Sequence, residues 1–519
     1  MELERLVELL PSRKGAIHTF SKAGAKRHSF AALADDVAAA KAKLTRWGVQ
    51  AGMRVGIYAP NGYDWVVYDL ALISLRAISV AFTDDFAGRL DEAVLDKYDI
   101  ALLLITGKDA ALFPQRPAHV ALMDGENTSV RALARDPVLS GDEDDHHSLV
   151  FSSGSAGGLK GLIVSRKGIT AMLPPLIQAS IDPRPGDRLL LFLPMSNFQQ
   201  RNMCYAALWH DFDIIITDYT QLFAAMAALQ PTILIAPPIF YEMVQKDFER
   251  FPDWKKSLWL GMGRVLSVLP EGLGMSLGRR LFSDFHAKFG GKMRLLVTGM
   301  APVRANIALL FQRMQLPLCE SYGMMEAGAI TYRPAHSRKY GSVGKLLPDV
   351  NVSTAEDGEI VVHRPHLLTL RYFQCAEGEN ERTFLGGGRV ATGDIGRLDE
   401  DGDLYLLGRK KELLITPGGY KVHPELIEKD LNDSPDVAHS VIFMRRDGAG
   451  LACVVDLFPG RGDAGRERVR KYVINLDSVK RAGAYVDVII ADEPFTTANG
   501  MLRPNMKIDR RAVIKRYNP

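Results

Sequence analysis

Four cysteines in 519 residues, Cys204, Cys319, Cys375 and Cys453, are too few and too scattered for a disulfide framework or a metal-ligand cluster. They read as the reduced thiols of a cytoplasmic protein. No apolar run approaches the roughly 18 residues of a membrane span, and the opening MELERLVELLPSRKG has too short a run for a signal peptide. A charge of one sign is missing as well. With 64 Lys and Arg against 61 Asp and Glu the net is +3, which gives no electrostatic reason to expect nucleic acid or an anionic membrane as partner. Internal repeats and low-complexity tracts are also absent. What is left is a globular protein of ordinary composition, long enough for about three or four structural units.

One stretch is unusual. SSGSAGGLKG, Ser152 to Gly161, packs small residues around a single cation, Lys160. Glycines let backbone N–H groups converge on an anion, serine hydroxyls add donors, and a lysine brings a mobile charge. Phosphate is the ligand such a loop suits. The spacing is not that of the G-x-x-x-x-G-K-[ST] loop, because Leu159 precedes Lys160 and Gly161 follows it. A Gly/Ser linker is the alternative. The apolar SLVF before the loop and LIV after it favour a tight turn between strands.

The rest of the first 340 residues alternates strand-like and helix-like segments. Ser29 is placed to cap a helix with apolar Leu33, Val37, Ala40, Leu44 and Trp47, stopped by Gly48. Continuous apolar runs begin near Val55, Ile100, Arg188, Asp213, Thr232 and Arg294. Runs of this kind predict parallel strands covered on both faces, with ligands bound at their carboxyl ends. The Ser152 loop, LPMSN and TGMAP all fall at such ends. After about Tyr340, short β-rich runs separated by turn residues predict a small, mostly antiparallel subdomain. A mixed α/β pattern returns beyond a boundary at Gly408–Lys411. His146 and His147 are adjacent rather than four apart and read as solvated side chains, not metal ligands.

Taken together, five stretches resemble the adenylate-forming enzymes, which include acyl-CoA synthetases, aryl-CoA ligases, luciferases and nonribosomal adenylation domains. FSSGSAGGLKG is similar to the family's phosphate loop, TGMAP to its adenine-side turn and ESYGMMEAG to its YGxTE motif. ATGDIGRLDEDGDLYLLGRKKELLITPGGYKVHPELIE resembles the TGD…GRxKD…GxxVxPxEIE region, and FTTANGMLRPNMKIDRR the terminal lysine motif. The resemblance covers almost the whole chain. It implies an α/β fold: a large N-terminal adenylation domain (1–408) of parallel αβα sheets with a small β-rich subdomain, then a small mobile α+β lid (409–519). It also implies ATP-dependent activation of a small-molecule carboxylic acid to an acyl-adenylate, with Mg²⁺ and release of pyrophosphate. Transfer to a thiol follows, either coenzyme A or the phosphopantetheine of an acyl carrier protein. An adenylate-only ligase passing the acyl group elsewhere, or a degenerate nucleotide-binding module, is the alternative.

Residue by residue, the resemblance assigns ATP binding to Ser152, Ser153, Gly154, Ser155, Gly157, Lys160, Gly299, Met300, Ala301, Tyr322, Gly323, Asp394 and Arg409. Asp394 would accept from both ribose hydroxyls, Arg409 would present a fork of donors, and Tyr322 would lie along the adenine. Glu326 is the expected magnesium ligand, Lys507 the catalytic lysine and Lys411 the interdomain hinge. Asn197, Phe198, Phe240, Met300 and Met324, with Met195, offer a wall for a fatty, alicyclic or aromatic acid. An α-amino acid is not expected, since LPMSNFQQ lacks the FDxS pattern. Departures from the family pattern are Ala156 for Thr, Leu159 for Pro, Met325 for the Thr of YGxTE, and Asn197 where many ligases carry His.

Overall fold

The computed structural model describes residues 2–115, 117–125, 127, 129–135, 145–153, 159–299, 303–335, 337, 339, 341–416, 418–448, 450–481, 486–502 and 508–518. Two large sheets organise the chain. In the seven-stranded sheet, Ile78–Ala81, Arg54–Tyr58, Ile100–Ile105 and Val120–Leu122 lie side by side in parallel, extended on one edge by His146–Ser153, Leu159–Ser165 and Thr369–Phe373. All six side chains of Ile100–Ile105 are buried, as strands covered on both faces require. The second sheet has fourteen strands. Its parallel half runs from Ala16–Ser21 through Asp213–Ile216, Arg188–Leu191, Ile233–Ala236 and Leu295–Thr298 to Leu318–Met324. The antiparallel strands of the β-rich part continue this sheet edge to edge from Gly328–Arg333 onward.

Local chemistry accounts for the elements. Ser29 accepts from the Ala32 N–H at 3.1 Å and starts the helix Phe30–Arg46, while Gly48, at φ +91, ends it in a conformation that other residues rarely take. Leu33, Val37, Ala40 and Leu44 turn inward from that helix into the core between the sheets. A buried polar group ties the helices Tyr63–Ser74 and Phe198–His210 to the strand that leads into the Ser152 loop. In it Arg201 pairs with Asp69, and the Tyr205 hydroxyl lies 3.2 Å from His147 Nε2. His146 and His147 are therefore buried, contrary to the solvated reading. Adjacent strand residues face opposite sides of a sheet, and here both sides are covered. Burial and the neighbouring Arg201 and Arg166 push the His147 pKa well down, so the ring is neutral.

Beyond residue 412 the chain builds cores of its own. One cluster joins Val422, Ile427, Leu431 and Val455, and another joins Val441, Phe443, Phe495 and Val513, around the strands Val437–Met444, Leu451–Leu457 and Val486–Ile490. Among the described residues no helix is long and apolar enough to cross a membrane. The four cysteines are free.

Candidate active site

Two hydrogen-bonded groups gather most of the described motif residues. The first forms where Leu318–Met324 approaches the hairpin Arg389–Leu398 and Asp403–Arg409. Asp394 and Arg409 are direct cross-strand partners, which puts the guanidinium Nε 2.8 Å from Asp394 Oδ1. The Tyr322 hydroxyl donates to Asp394 Oδ2 at 2.5 Å, and the Asp394 N–H donates to Thr392 Oγ1 at 3.1 Å. Burial pushes the Asp394 carboxyl up, and Arg409 and Tyr322 pull it back. Burial and Asp394 push the Tyr322 phenol well up, so it stays a donor. A carboxylate oxygen has about two acceptor sites, so one on each Asp394 oxygen remains for a further donor. A pair of vicinal hydroxyls matches that geometry.

The second group lies on the edge of the other sheet. Lys160 faces Ser152 across the hairpin, pairs with Glu379, and holds its ammonium 4.7 Å from the centre of the Tyr372 ring. The Tyr372 hydroxyl donates to Glu326 Oε1 at 2.7 Å. Glu326 sits in the turn between Leu318–Met324 and Gly328–Arg333, beside a bulge at Tyr322/Gly323 of the kind that re-aims side chains near sites. Gly323 has no room for a side chain, since a Cβ there would lie 2.5 Å from the Gly328 carbonyl oxygen. A Cβ on Gly299 would likewise lie 2.9 Å from the Ser321 carbonyl oxygen, so Gly299 backs directly onto the tyrosine strand.

Lys411 links the groups. Its pKa is pushed down by partial burial, then by Arg409 and Lys160, against the pull of Glu412 and Asp394. Lys160 and Arg409 thus lie near enough to Lys411 for their charges to disfavour its protonated form. Among the described residues no three or more candidate metal ligands, Glu326 included, come together. A lone carboxylate is a donor set that suits magnesium shared with phosphate oxygens.

Not every expected residue joins these two groups. Asn197 caps the helix Phe198–His210 by accepting from the Gln199 N–H at 3.0 Å. Met195, Phe198 and Met324 pack in or against the core between the sheets, whereas Phe240 belongs to a separate cluster with Phe192, Tyr241 and Phe289. Gly154, Ser155, Gly157, Met300, Ala301 and Lys507, with the departure Ala156, lie outside the described residues, as does the side chain of Ser153. Tyr372, Glu379 and Thr392 were missed by sequence reasoning. Tyr372 comes to Lys160 and Glu326 only through the pairing of its strand with Leu159–Ser165, and RYFQ carries no local signal of it.

A family model described as AMP-binding enzyme matches residues 7–372. The chain belongs to the AMP-binding enzyme family. It is a ligase of the adenylate-forming type, as its five motifs led one to expect. Relatives include the long-chain-fatty-acid–CoA ligase FadD15 of Mycobacterium bovis, 26% identical over 93% of this chain and 90% of that protein. The human long-chain-fatty-acid–CoA ligase 1 is 25% identical over 88% of this chain and 76% of that one. Among solved structures, ATP-bound MatB from Rhodopseudomonas palustris has a TM-score of 0.75 at 22% identity, covering 100% of this chain and 99% of that one. AMP-bound O-succinylbenzoate–CoA synthetase (MenE) from Bacillus subtilis has a TM-score of 0.73 at 18% identity, covering 98% and 97%. At these identities the structural likeness speaks for the fold, an α/β architecture shared with two-domain adenylate-forming enzymes.

Proposed function

We propose that the protein activates a fatty acid with ATP and transfers the acyl group to the thiol of coenzyme A. The observation that carries this reading is the joining of Tyr322, Asp394 and Arg409 into one group, and of Lys160, Tyr372 and Glu326 into another. In the first step a carboxylate oxygen of the acid attacks the α-phosphorus, the bond to the bridging oxygen breaks, and pyrophosphate leaves. Asp394 holds the ribose through its remaining acceptor sites, while Tyr322 flanks the adenine. Lys160 and Arg409 offset charge on the phosphates. Bound magnesium supplies charge neutralisation at the phosphates, and Glu326, held in place by Tyr372, is the residue that would ligate it. Lys507 carries the ammonium that approaches the attacking carboxylate. In the second step the thiolate attacks the acyl carbonyl carbon and AMP leaves.

The domain division at 408/409 is part of the same proposal, with Lys411 as hinge. Its support is that the core clusters beyond residue 412 draw no residue from before it. The fatty acid is supported by the names of the relatives, and a cytoplasmic setting by four free cysteines. Pyrophosphate exchange against fatty, alicyclic and aromatic acids tests the first step. Exchange that no acid stimulates would end this reading. Supplying coenzyme A or a holo-carrier protein then tests the acceptor, and thioester formed only on the carrier would replace coenzyme A.

A further inference from the structure

The helices Asp253–Leu266 and Glu271–Leu281 contain none of the five motifs and are apolar on both sides. Their inner faces are fully used. Trp259, Gly263 and Leu266 are buried, and a Cβ on Gly263 would lie 2.2 Å from the Arg313 carbonyl oxygen. A Cβ on Gly278 would lie 2.5 Å from the Gln315 Cβ. The outer faces need no such contacts, yet they carry large apolar groups. Trp254 is 69% exposed, Leu258 52% and Val265 64%, at helical positions i, i+4 and i+11 on one stripe. Val268 at 74%, Leu273 at 51% and Leu277 continue it through the turn and the second helix. Scattered exposed leucines are ordinary, but a stripe this continuous is a mark of an interaction surface.

The charges around the stripe say what covers it. From Trp254 to Leu281 there are five basic residues, Lys255, Lys256, Arg264, Arg279 and Arg280, and one acidic residue, Glu271. The near-neutral chain as a whole hides this local excess. Lys256 is neutralised by Glu249 and Asp253, and Lys255 lies over the Trp259 ring at 4.5 Å. Arg264 and Arg280 are exposed and have no ion-pair partner among the described residues. Arg280 follows Leu273 and Leu277 at i+7 and i+3, so it shares their side of the helix. An exposed tryptophan, aliphatic side chains and uncompensated arginines on one surface match the headgroup region of a bilayer, where apolar groups sink and cations meet phosphate.

We propose that the outer face of these two helices docks the protein on an anionic lipid bilayer, with the helices lying in the plane of the membrane. At 14 and 11 residues both are too short to span it. The inference goes beyond the proposed acid activation and does not depend on it.

Sedimentation of the full chain with vesicles tests it, using phosphatidylcholine alone and phosphatidylcholine with phosphatidylglycerol. The expected result is binding to the mixed vesicles that weakens with salt. Trp254→Ser/Leu258→Ser/Val265→Ser should lower the partition coefficient by at least about tenfold. Arg264→Glu/Arg280→Glu should lower it by about fivefold per cation removed, since each contributes near the surface. Both variants should keep the parent's melting temperature and pyrophosphate exchange. The proposal is overturned if the parent stays in the supernatant, or if both variants bind as the parent does. It is equally overturned if the parent forms dimers without lipid that the serine variant abolishes, because the stripe would then be an interface between two copies.

Discussion

Removing the hydroxyl of Tyr372 tests the contact that positions Glu326. Tyr372→Phe keeps the ring, and with it the edge contact to Phe384 at 5.3 Å and the cation–ring contact with Lys160 at 4.7 Å. The backbone N–H still donates to Asn380 Oδ1 at 2.8 Å. What is lost is the 2.7 Å hydrogen bond to Glu326 Oε1, together with the hydroxyl's hydrogen bond with Thr383. A neutral donor to a charged acceptor contributes about 1.5–3 kcal/mol, so a contact fully used in the transition state corresponds to roughly one to two orders of magnitude in rate. A tyrosine that only fills space would show none of this, since the phenyl ring fills it equally well. Pyrophosphate exchange should be followed across a magnesium titration at saturating ATP and acid. The expected outcome is a rate about 10–100-fold lower at limiting magnesium, partly restored as magnesium rises. The melting temperature should stay close to the parent's. An unchanged magnesium dependence, with exchange within a few-fold of the parent, would refute the positioning role.

Lys411→Pro probes the hinge. Lys411 lies inside the short turn Lys410–Glu412, where a φ near −65° is already compatible, so if Lys411 is the hinge, adenylate formation should survive while thioester transfer collapses. Equal loss of both half-reactions, measured separately, would remove Lys411 from that role. Lys507→Ala should lower pyrophosphate exchange by about 10²–10³ yet convert a supplied acyl-adenylate to thioester at near-normal rate. Exchange within a few-fold of the parent would show an ordinary basic-tail lysine instead. Burial and the repulsion of Glu412 and Glu428 push the Glu425 carboxyl up to about 7, against Arg409 and Arg510. A raised carboxyl stabilises the fold most below its unfolded value near 4.5, and that stability is lost as pH rises through 7. Glu425→Gln should therefore raise the melting temperature at pH 8 and leave it nearly unchanged at pH 4.5, and an equal shift at both pH values would count against the assignment.

Much of the fold follows from patterns that act over a few residues. The cap at Ser29, the stop at Gly48 and the buried strand Ile100–Ile105 depend on side chains within a turn or a strand of themselves, so the linear chain determines them. The order of the five motifs likewise settled the family and pointed to Asp394, Arg409, Tyr322, Glu326 and Lys160. What the chain could not specify is register and distance across elements. Asp394 meets Arg409 because two strands pair in one register, and a slip of one residue would turn one of them to the other face. Tyr372 reaches Lys160 and Glu326 from 212 and 46 residues away, through a strand added to the edge of the other sheet. Burial was decided in the same way. The paired histidines looked solvated until a sheet covered on both faces enclosed them, and Phe198 and Phe240 looked like one wall until two sheet faces separated them. The same balance of 64 against 61 charges concealed the cationic face around Trp254, because net charge adds over the whole chain while a surface is assembled only when helices fold against one side. Patterning sets which residues seek an interior, and only packing, which joins residues hundreds apart, sets which of them find one.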